Sequence, residues 1–254
     1  MTPTSTIVMP DTIEEACRAL HDTPSLVPIA GGTDLLVHWP ERLDAHDRDY
    51  LDLSGIQTLR GIRVTDDAFE FGALATYWET IRHPAVGSEL PILVDAARTV
   101  GAIQIQSRGT WAGNIGNASP AADGAAALMA CDASVHLAST RQPDELITAI
   151  SIPRRAYERQ VFEKVGAREA QTIAKVGIAI TQRGGDWRIV ASSVAATTVR
   201  CRATEAAVAQ GIPSTPDDLL APLGQDVQPI DDIRSTGAYR LRVLAHIIHS
   251  AITS

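Results

Sequence analysis

The chain has 254 residues, of which 45% are hydrophobic and 20% are charged, and it carries a formal net charge of −8 at pH 7. This composition is ordinary for a globular protein, and the acidic balance argues against a general nucleic-acid binder, which needs a basic surface. Three widely separated cysteines, Cys17, Cys131 and Cys201, with no CxxC pair argue against a disulfide framework, a zinc site or a four-cysteine iron–sulfur cluster.

The N-terminal region predicts short elements that lead into a glycine turn. No basic segment precedes a long apolar run there, and no apolar run of the sequence reaches about 18 residues, so we expect a cytoplasmic protein without a membrane span. Residues 7–9 predict a strand. A helix follows, which we expect Asp11 to cap, with Glu14 three residues later as in a capping box. Residues 26–30 predict a buried strand that ends at Gly31-Gly32-Thr33-Asp34.

The middle of the chain predicts two strands and a helix. Residues 50–53 and 69–72 alternate apolar with polar side chains, as half-buried strands do. Residues 91–101 predict a helix with Val100 on its apolar face and Gly101 near its end.

A second glycine-rich stretch, RGTWAGNIGNASPAAD, covers residues 108–123. Glycine and asparagine tolerate positive φ, so its first half predicts a tight backbone that can approach an anion closely. Ser119 and Pro120 predict the N-cap and first position of the next helix. A plain turn is the alternative at either loop, but two such loops after apolar segments favour a shared ligand. Trp111 can stack on a flat ligand or pack in the core, and packing is favoured.

The remaining segments predict a separate α+β unit after about residue 155. Strands are predicted before it at residues 134–138 and 147–152, and within it at residues 160–164, 172–182 and 186–196, with a hairpin at Gly184-Gly185. Residues 203–210 predict a helix, residues 213–232 a loop with one helical turn at most, and residues 236–253 a long amphipathic helix. We expect one face of that helix to carry Tyr239, Val243, Leu244, Ile247, Ile248 and Ala251.

Two motifs resemble a known family. PIAGGTDLL, residues 28–36, and SRGTWAGNIGNASPAAD, residues 107–123, are similar to the cofactor loops of the FAD-binding medium subunit of the molybdenum hydroxylases. That family includes xanthine dehydrogenase, aldehyde oxidoreductase and carbon monoxide dehydrogenase. Further segments match in the family's order, so the resemblance covers nearly the whole chain; they are residues 100–105, 144–153, 162–176 and 232–248.

The resemblance implies an α+β fold in which two subdomains hold FAD and a C-terminal α+β subdomain follows. The implied boundaries are residues 1–55, 56–154 and 155–254. Part of the FAD would lie on the first loop, and residues 110–114 would face its pyrophosphate. Asp123 would accept from a cofactor hydroxyl or amine, and Val100, Ile147 and Lys164 would lie near the flavin. The implied FAD-binding residues are Ile29, Ala30, Gly31, Gly32, Thr33, Asp34, Leu35, Val100, Thr110, Trp111, Ala112, Gly113, Asn114, Asp123, Ile147 and Lys164, with no catalytic residue or metal ligand.

The role implied is that of an oxidoreductase subunit that transfers electrons. A molybdenum-cofactor large subunit and a [2Fe–2S] small subunit would be its partners in a heterotrimer, and FAD would pass electrons to NAD⁺ or another acceptor. The alternatives are a stand-alone flavin reductase of the same fold and an assembly subunit that has lost FAD. Two departures from the family support the latter: Ala112 stands where glycine is usual, and the loop between Ser139 and Asp144 is shorter than in many members.

Overall fold

The computed structural model of the chain describes residues 6–37, 48–139, 145–169 and 171–254. Its helices are α1 Ile13–Asp22, α2 Tyr77–Arg82, α3 Pro84–Glu89, α4 Pro91–Thr99, α5 Ile103–Gln106, α6 Trp111–Asn117, α7 Asp123–Ala130, α8 Arg202–Gln210, α9 Leu220–Asp226 and α10 Gly237–Thr253. Its strands are β1 Ile7–Val8, β2 Val27–Ile29, β3 Tyr50–Asp52, β4 Ile62–Val64, β5 Ala68–Gly72, β6 Ser134–Ser139, β7 Glu145–Pro153, β8 Arg159–Val165, β9 Val176–Arg183, β10 Asp186–Ser192 and β11 Val199–Arg200.

The strands form three sheets within the described residues. The first is parallel, with β3 between β1 and β2, and α1 makes the crossover from β1 to β2. The second is antiparallel in the order β4-β5-β7-β6, and the third is antiparallel in the order β11-β10-β9-β8. Gly184 and Gly185 join β9 to β10 with positive φ at both positions, as the predicted hairpin requires. The predicted α+β class is confirmed.

Two hydrophobic cores stabilise these sheets. The larger one joins the first and second sheets to α4 and α7, and its fully buried side chains include Leu51, Phe69 and Trp111. The smaller one packs α8, α9 and α10 against the third sheet, with Ile178 and Leu244 at its centre. The glycine loops therefore lie on the larger core, while the C-terminal unit has a core of its own.

Two predicted helix starts differ from the structure by a few residues. Thr12, not Asp11, caps α1, because its hydroxyl accepts the Glu15 N–H, and the Glu15 carboxylate accepts the Asp11 N–H in return. The helix predicted from Ser119 begins at Asp123. The Ser119 hydroxyl instead accepts the Ala121 N–H within a turn that precedes α7. In both cases a local hydrogen bond between a side chain and the backbone gives a helix start that differs from the predicted one.

The C-terminal unit differs from its prediction at two places. Residues 213–232 contain the helix α9, whose Pro222 lies in the first turn, where no backbone N–H is needed. On α10, Tyr239 is 40% exposed, whereas Arg240 is only 4% exposed. The Arg240 guanidinium reaches inward because the carbonyls of Lys175 and Ser193 and the Asp232 carboxylate accept its hydrogen bonds.

Among the helices described, none has the length and apolar character needed to cross a membrane.

Candidate functional site

A cleft of about 560 Å³ lies between the end of β2 and the segment that contains α5 and α6. Its volume is typical of cofactor and ligand pockets. Both glycine loops line it, so the structure brings together two segments that are far apart in sequence. The lining residues are Val27, Pro28, Ala30, Gly31, Gly32, Thr33, Asp34, Leu35, Leu53, Ala73, Tyr77, Val100, Ile105, Gly109, Thr110, Ala112, Gly113, Asn114, Gly116, Asn117, Glu145, Leu146 and Ile147.

The first glycine loop follows β2 and presents unpaired backbone donors. Gly32 has a φ of +70°, a left-handed conformation that glycine adopts without strain. Hydrogen bonds inside the loop run from the Leu36 and Val37 N–H groups to the Gly32 and Asp34 carbonyls. The N–H groups of residues 31–35 donate to no acceptor in the described part of the chain. A run of free N–H groups along a cleft suits an anion.

The second glycine stretch forms the short helix α6, where the sequence predicts a tight turn without helix. The Thr110 hydroxyl caps it by accepting the Gly113 N–H at 2.9 Å. The Asn114 side-chain oxygen accepts the Ala125 N–H at 3.0 Å and so ties α6 to α7. Ala118, with a φ of +51°, ends the helix. Asn114 thus fixes the position of α7 as well as lining the cleft.

The two loops touch at Gly31. A Cβ atom on Gly31 would lie 1.9 Å from the backbone oxygen of Arg108, which no side chain can tolerate. The Arg108 Nε donates to the Gly31 carbonyl at 3.2 Å. Glycine at position 31 is therefore required by the contact between the loops, whatever ligand the cleft takes.

The Trp111 side chain lies in the core and not in the cleft. It is fully buried, and its Nε1–H donates to the Thr80 hydroxyl at 2.7 Å. Its ring packs against Tyr77 at 5.0 Å and edge-on to Phe71 at 6.0 Å between centroids. Of the two alternatives that the sequence left open, the structure shows packing in the core. Trp111 therefore supports the second glycine loop from the core side.

Asp123 and Lys164 form a buried ion pair, and neither residue lines the cleft. Asp123 Oδ2 lies 2.5 Å from Lys164 Nζ, which also donates to the Thr99 carbonyl at 3.3 Å. Burial raises the pKa of the Asp123 carboxyl, and the Lys164 ammonium opposes that rise. The second carboxylate oxygen, Oδ1, is buried and has no hydrogen-bond partner among the described residues. Burial, and to a lesser degree the Asp123 charge, raises the pKa of Tyr77, a residue that lines the cleft.

Most of the predicted site residues line the cleft; they are Ala30, Gly31, Gly32, Thr33, Asp34, Leu35, Val100, Thr110, Ala112, Gly113, Asn114 and Ile147. Four others, Ile29, Trp111, Asp123 and Lys164, do not line it. The Ile29 side chain lies 3.2 Å from the Cβ position of Gly32 and packs against the loop. The shortened loop after Ser139 falls at residues 140–144, outside the described residues.

Sequence reasoning missed several lining residues. Gly116 and Asn117 lie in the same glycine-rich stretch as the predicted residues and could have been included on that ground. Tyr77 carried no signal, because the six-residue helix α2 that positions it was not predicted. Across the described ranges, no cluster of three or more His, Cys, Asp or Glu side chains could hold a metal ion.

Two family models match the chain. The model described as the FAD binding domain in molybdopterin dehydrogenase matches residues 3–142, and the model of the CO dehydrogenase flavoprotein C-terminal domain matches residues 161–254. The first model alone covers more than half of the chain.

Curated relatives are dehydrogenase subunits by name, and two of them are named as FAD subunits. The nicotinate dehydrogenase FAD-subunit of Eubacterium barkeri is 32% identical over 66% of this chain and 65% of its own length. The xanthine dehydrogenase FAD-binding subunit of Escherichia coli O157:H7 is 26% identical over 95% of this chain and 92% of its own. The carbon monoxide dehydrogenase medium chain of Hydrogenophaga pseudoflava is 33% identical over 41% of this chain and 36% of its own.

A solved structure shares the fold. Carbon monoxide dehydrogenase from Hydrogenophaga pseudoflava aligns with a TM-score of 0.88 at 24% identity, over 99% of this chain and 97% of that chain. The predicted FAD cofactor and the predicted oxidoreductase class are confirmed by the family match and the relatives. The chain belongs to the family of FAD-binding subunits of the molybdenum hydroxylases.

Proposed function

We propose that this chain is the electron-transfer subunit of a multi-subunit molybdenum hydroxylase, in which electrons leave the [2Fe–2S] clusters of a small subunit and reach NAD⁺ or another acceptor through FAD. The observation that carries the proposal is the row of N–H groups at residues 31–35, which have no acceptor among the described residues and belong to a loop that lines the cleft opposite α6. Bound FAD would supply the redox chemistry, and this chain would supply its binding, orientation and electrostatics.

The loops fit the pyrophosphate part of the cofactor. The N–H groups of residues 31–35 would donate to it from one side, and residues 110–114 would flank it from the other. Hydrogen bonds to a charged group contribute about 1.5–3 kcal/mol each, so a few of them hold an anion without a lysine. No lysine or arginine is among the described residues that line the cleft, which supports binding through the backbone.

The apolar residues of the cleft fit the ring part of the cofactor. Val100 and Ile147 would lie near the flavin, and the main chain at Ile29 and Trp111 would support the loops that hold it. Asp123 Oδ1, which has no partner among the described residues, would accept from a cofactor hydroxyl or amine, and Lys164 would lie near the ring. We also propose the subdomains 1–55, 56–154 and 155–254, which the three separate sheets support.

The names of the relatives support the proposed partners. Names such as glyceraldehyde dehydrogenase medium chain and 6-hydroxypseudooxynicotine dehydrogenase complex subunit alpha describe components of larger assemblies. We propose that a molybdenum-cofactor large subunit and a [2Fe–2S] small subunit form a heterotrimer with this chain.

The departure at Ala112 is compatible with a bound cofactor. The buried Ala112 lines the cleft beside Gly113, so its extra methyl group does not close the site.

Rapid mixing of the purified subunits tests this role. The FAD-loaded chain is mixed without oxygen with the chemically reduced [2Fe–2S] subunit, and the visible flavin absorbance is followed. We expect the flavin band to bleach and then to recover on addition of NAD⁺ or oxygen, which identifies the acceptor. A flavin that the iron–sulfur subunit does not reduce, or turnover of an organic substrate by the isolated chain, would contradict the proposal and favour a stand-alone enzyme.

A further inference from the structure

Arg108 joins the two glycine loops from outside the cleft. Within the described residues, the hydrogen bond from its Nε to the Gly31 carbonyl is the one that links residues 30–37 to residues 103–117. Its own backbone oxygen packs against Gly31 Cα, at the place where a Cβ atom would collide. Arg108 thus contacts Gly31 with both its side chain and its main chain.

Among the described residues, the second loop has several hydrogen bonds to neighbouring elements, whereas residues 31–37 have one hydrogen bond to another part of the chain, the bond from Arg108. The Gly109 carbonyl accepts the Tyr77 N–H at 3.1 Å, and the Gly109 N–H donates to the Ile105 carbonyl at 2.6 Å. These bonds fix Arg108 and its neighbours to α2 and α5. The first loop has two hydrogen bonds of its own, both internal, and leaves five successive N–H groups without acceptors among the described residues. Arg108 therefore connects the first loop, whose other hydrogen bonds are internal, to the second loop, which is bonded to α2 and α5.

The charge of Arg108 also suits its position. The ionisable side chains that line the cleft include the carboxylates of Asp34 and Glu145 and no cation among the described residues. A pyrophosphate would be repelled by those carboxylates, and Arg108 is adjacent to Gly109 on the cleft wall. The exposed guanidinium thus combines a hydrogen bond to the first loop with a positive charge next to a residue of the cleft wall.

We propose that Arg108 is a positioning residue of the FAD site, which acts by holding residues 31–35 against the second loop before the cofactor binds. Ordering a loop in advance removes an entropic cost from binding. The inference rests on the proposed function, because it takes FAD as the ligand of the cleft, and it adds a residue that does not itself line the cleft.

The test compares Arg108→Gln and Arg108→Lys with the wild type. Arg63→Gln is the matched control, since Arg63 lies on β4 of the same unit and pairs with Glu70 away from the cleft. FAD affinity is measured by titration of the cofactor-free chain. Loss of one charge-assisted hydrogen bond is expected to weaken binding about tenfold in both Arg108 variants, and the control is expected to bind as the wild type does.

Limited proteolysis of the cofactor-free chain supplies a second readout that does not depend on FAD. Leu35 and Leu36 are partly exposed, so chymotrypsin cleavage after them reports how firmly the first loop is held. We expect faster cleavage in both Arg108 variants and an unchanged rate in the control. Weaker FAD binding with unchanged cleavage, or wild-type behaviour of Arg108→Lys, would assign Arg108 a purely electrostatic role and overturn the proposal. A wild-type chain that takes up no FAD would instead contradict the proposed function.

Discussion

The indole of Trp111 supports the second glycine loop from inside the core. We expect Trp111→Phe to lower the free energy of unfolding by about 1–3 kcal/mol, because the hydrogen bond to Thr80 is lost and a small cavity remains. The dissociation constant for FAD should change little, since the ring does not line the cleft. Urea denaturation and FAD titration of the same variant check both points. A large loss of FAD affinity at wild-type stability would mean that the indole contacts the cofactor.

The Asp123–Lys164 ion pair predicts that Asp123 contributes to folding stability as well as to FAD binding, which is the role that the family resemblance implies. Asp123→Ala leaves the Lys164 ammonium buried with the Thr99 carbonyl as its remaining acceptor. Removing one partner of a buried ion pair costs about 3–5 kcal/mol of folding stability. We therefore expect the cofactor-free variant to unfold at a lower urea concentration.

The control for this prediction combines Asp123→Ala with Lys164→Met. It removes both charges and should recover most of the lost stability, because no unpaired charge stays buried. Wild-type stability of the single variant together with lost FAD binding would show that Asp123 serves the cofactor alone.

At the level of elements, the contact between the loops is the tightest constraint. Gly31→Ala forces the backbone of the two loops apart, since the new Cβ atom would meet the Arg108 oxygen at 1.9 Å. We expect a loss of about 1–3 kcal/mol in stability together with weaker FAD binding. Gly87→Ala is the matched control, because Gly87 is exposed on α3 with nothing near its Cβ position. Equal thermal stability and FAD affinity of Gly31→Ala and wild type would contradict the observed contact.

Asp232, in the turn before α10, should make the stability of the C-terminal unit depend on pH in the acid range. The hydrogen bond from the Arg234 N–H, assisted by the Arg240 guanidinium, lowers the pKa of Asp232 to about 2. The folded pKa is thus below the unfolded value of about 3.9, so the stabilisation is present above pH ~4 and is lost as the pH falls toward 2.

The expected result is a difference in melting temperature between wild type and Asp232→Asn that is constant at neutral pH and shrinks below pH ~4. Asp186→Asn, at an exposed position on β10, controls for the loss of one charge. A difference that persists unchanged to the lowest pH at which the chain folds would argue against the shifted pKa.

Across the whole molecule, the sequence predicted the segments that carry the site better than the elements that position them. Gly31, Gly32 and Gly113 could be identified because glycines that follow an apolar segment indicate a backbone that turns tightly and can approach a ligand. Tyr77 could not, because a six-residue helix has too few turns to produce a periodic pattern. Asp123 was predicted as a cofactor ligand, and its buried pairing with Lys164, 41 residues away, depends on tertiary packing that no local pattern encodes.

The architecture also explains why the cleft can be prepared without its ligand. The first sheet shares one core with α2, α3, α4, α6 and α7, and Ala30 and Trp111 anchor the two glycine loops to that core. The C-terminal unit contributes Lys164 through β8, and this lysine pairs with Asp123 of α7. FAD binding and the stability of all three sheets should therefore be linked, because a ligand that binds the folded state raises its apparent stability.

Amide hydrogen exchange with and without FAD tests the central claim most directly. The N–H groups of residues 31–35 have no protein acceptor in the described chain and should exchange rapidly in the cofactor-free protein. Saturating FAD should slow their exchange, along with that of residues 110–114, while the hairpin at Gly184-Gly185 should be unaffected. Unchanged exchange at residues 31–35 in the FAD-loaded protein, or protection confined to another surface, would contradict the assignment of this cleft as the FAD site.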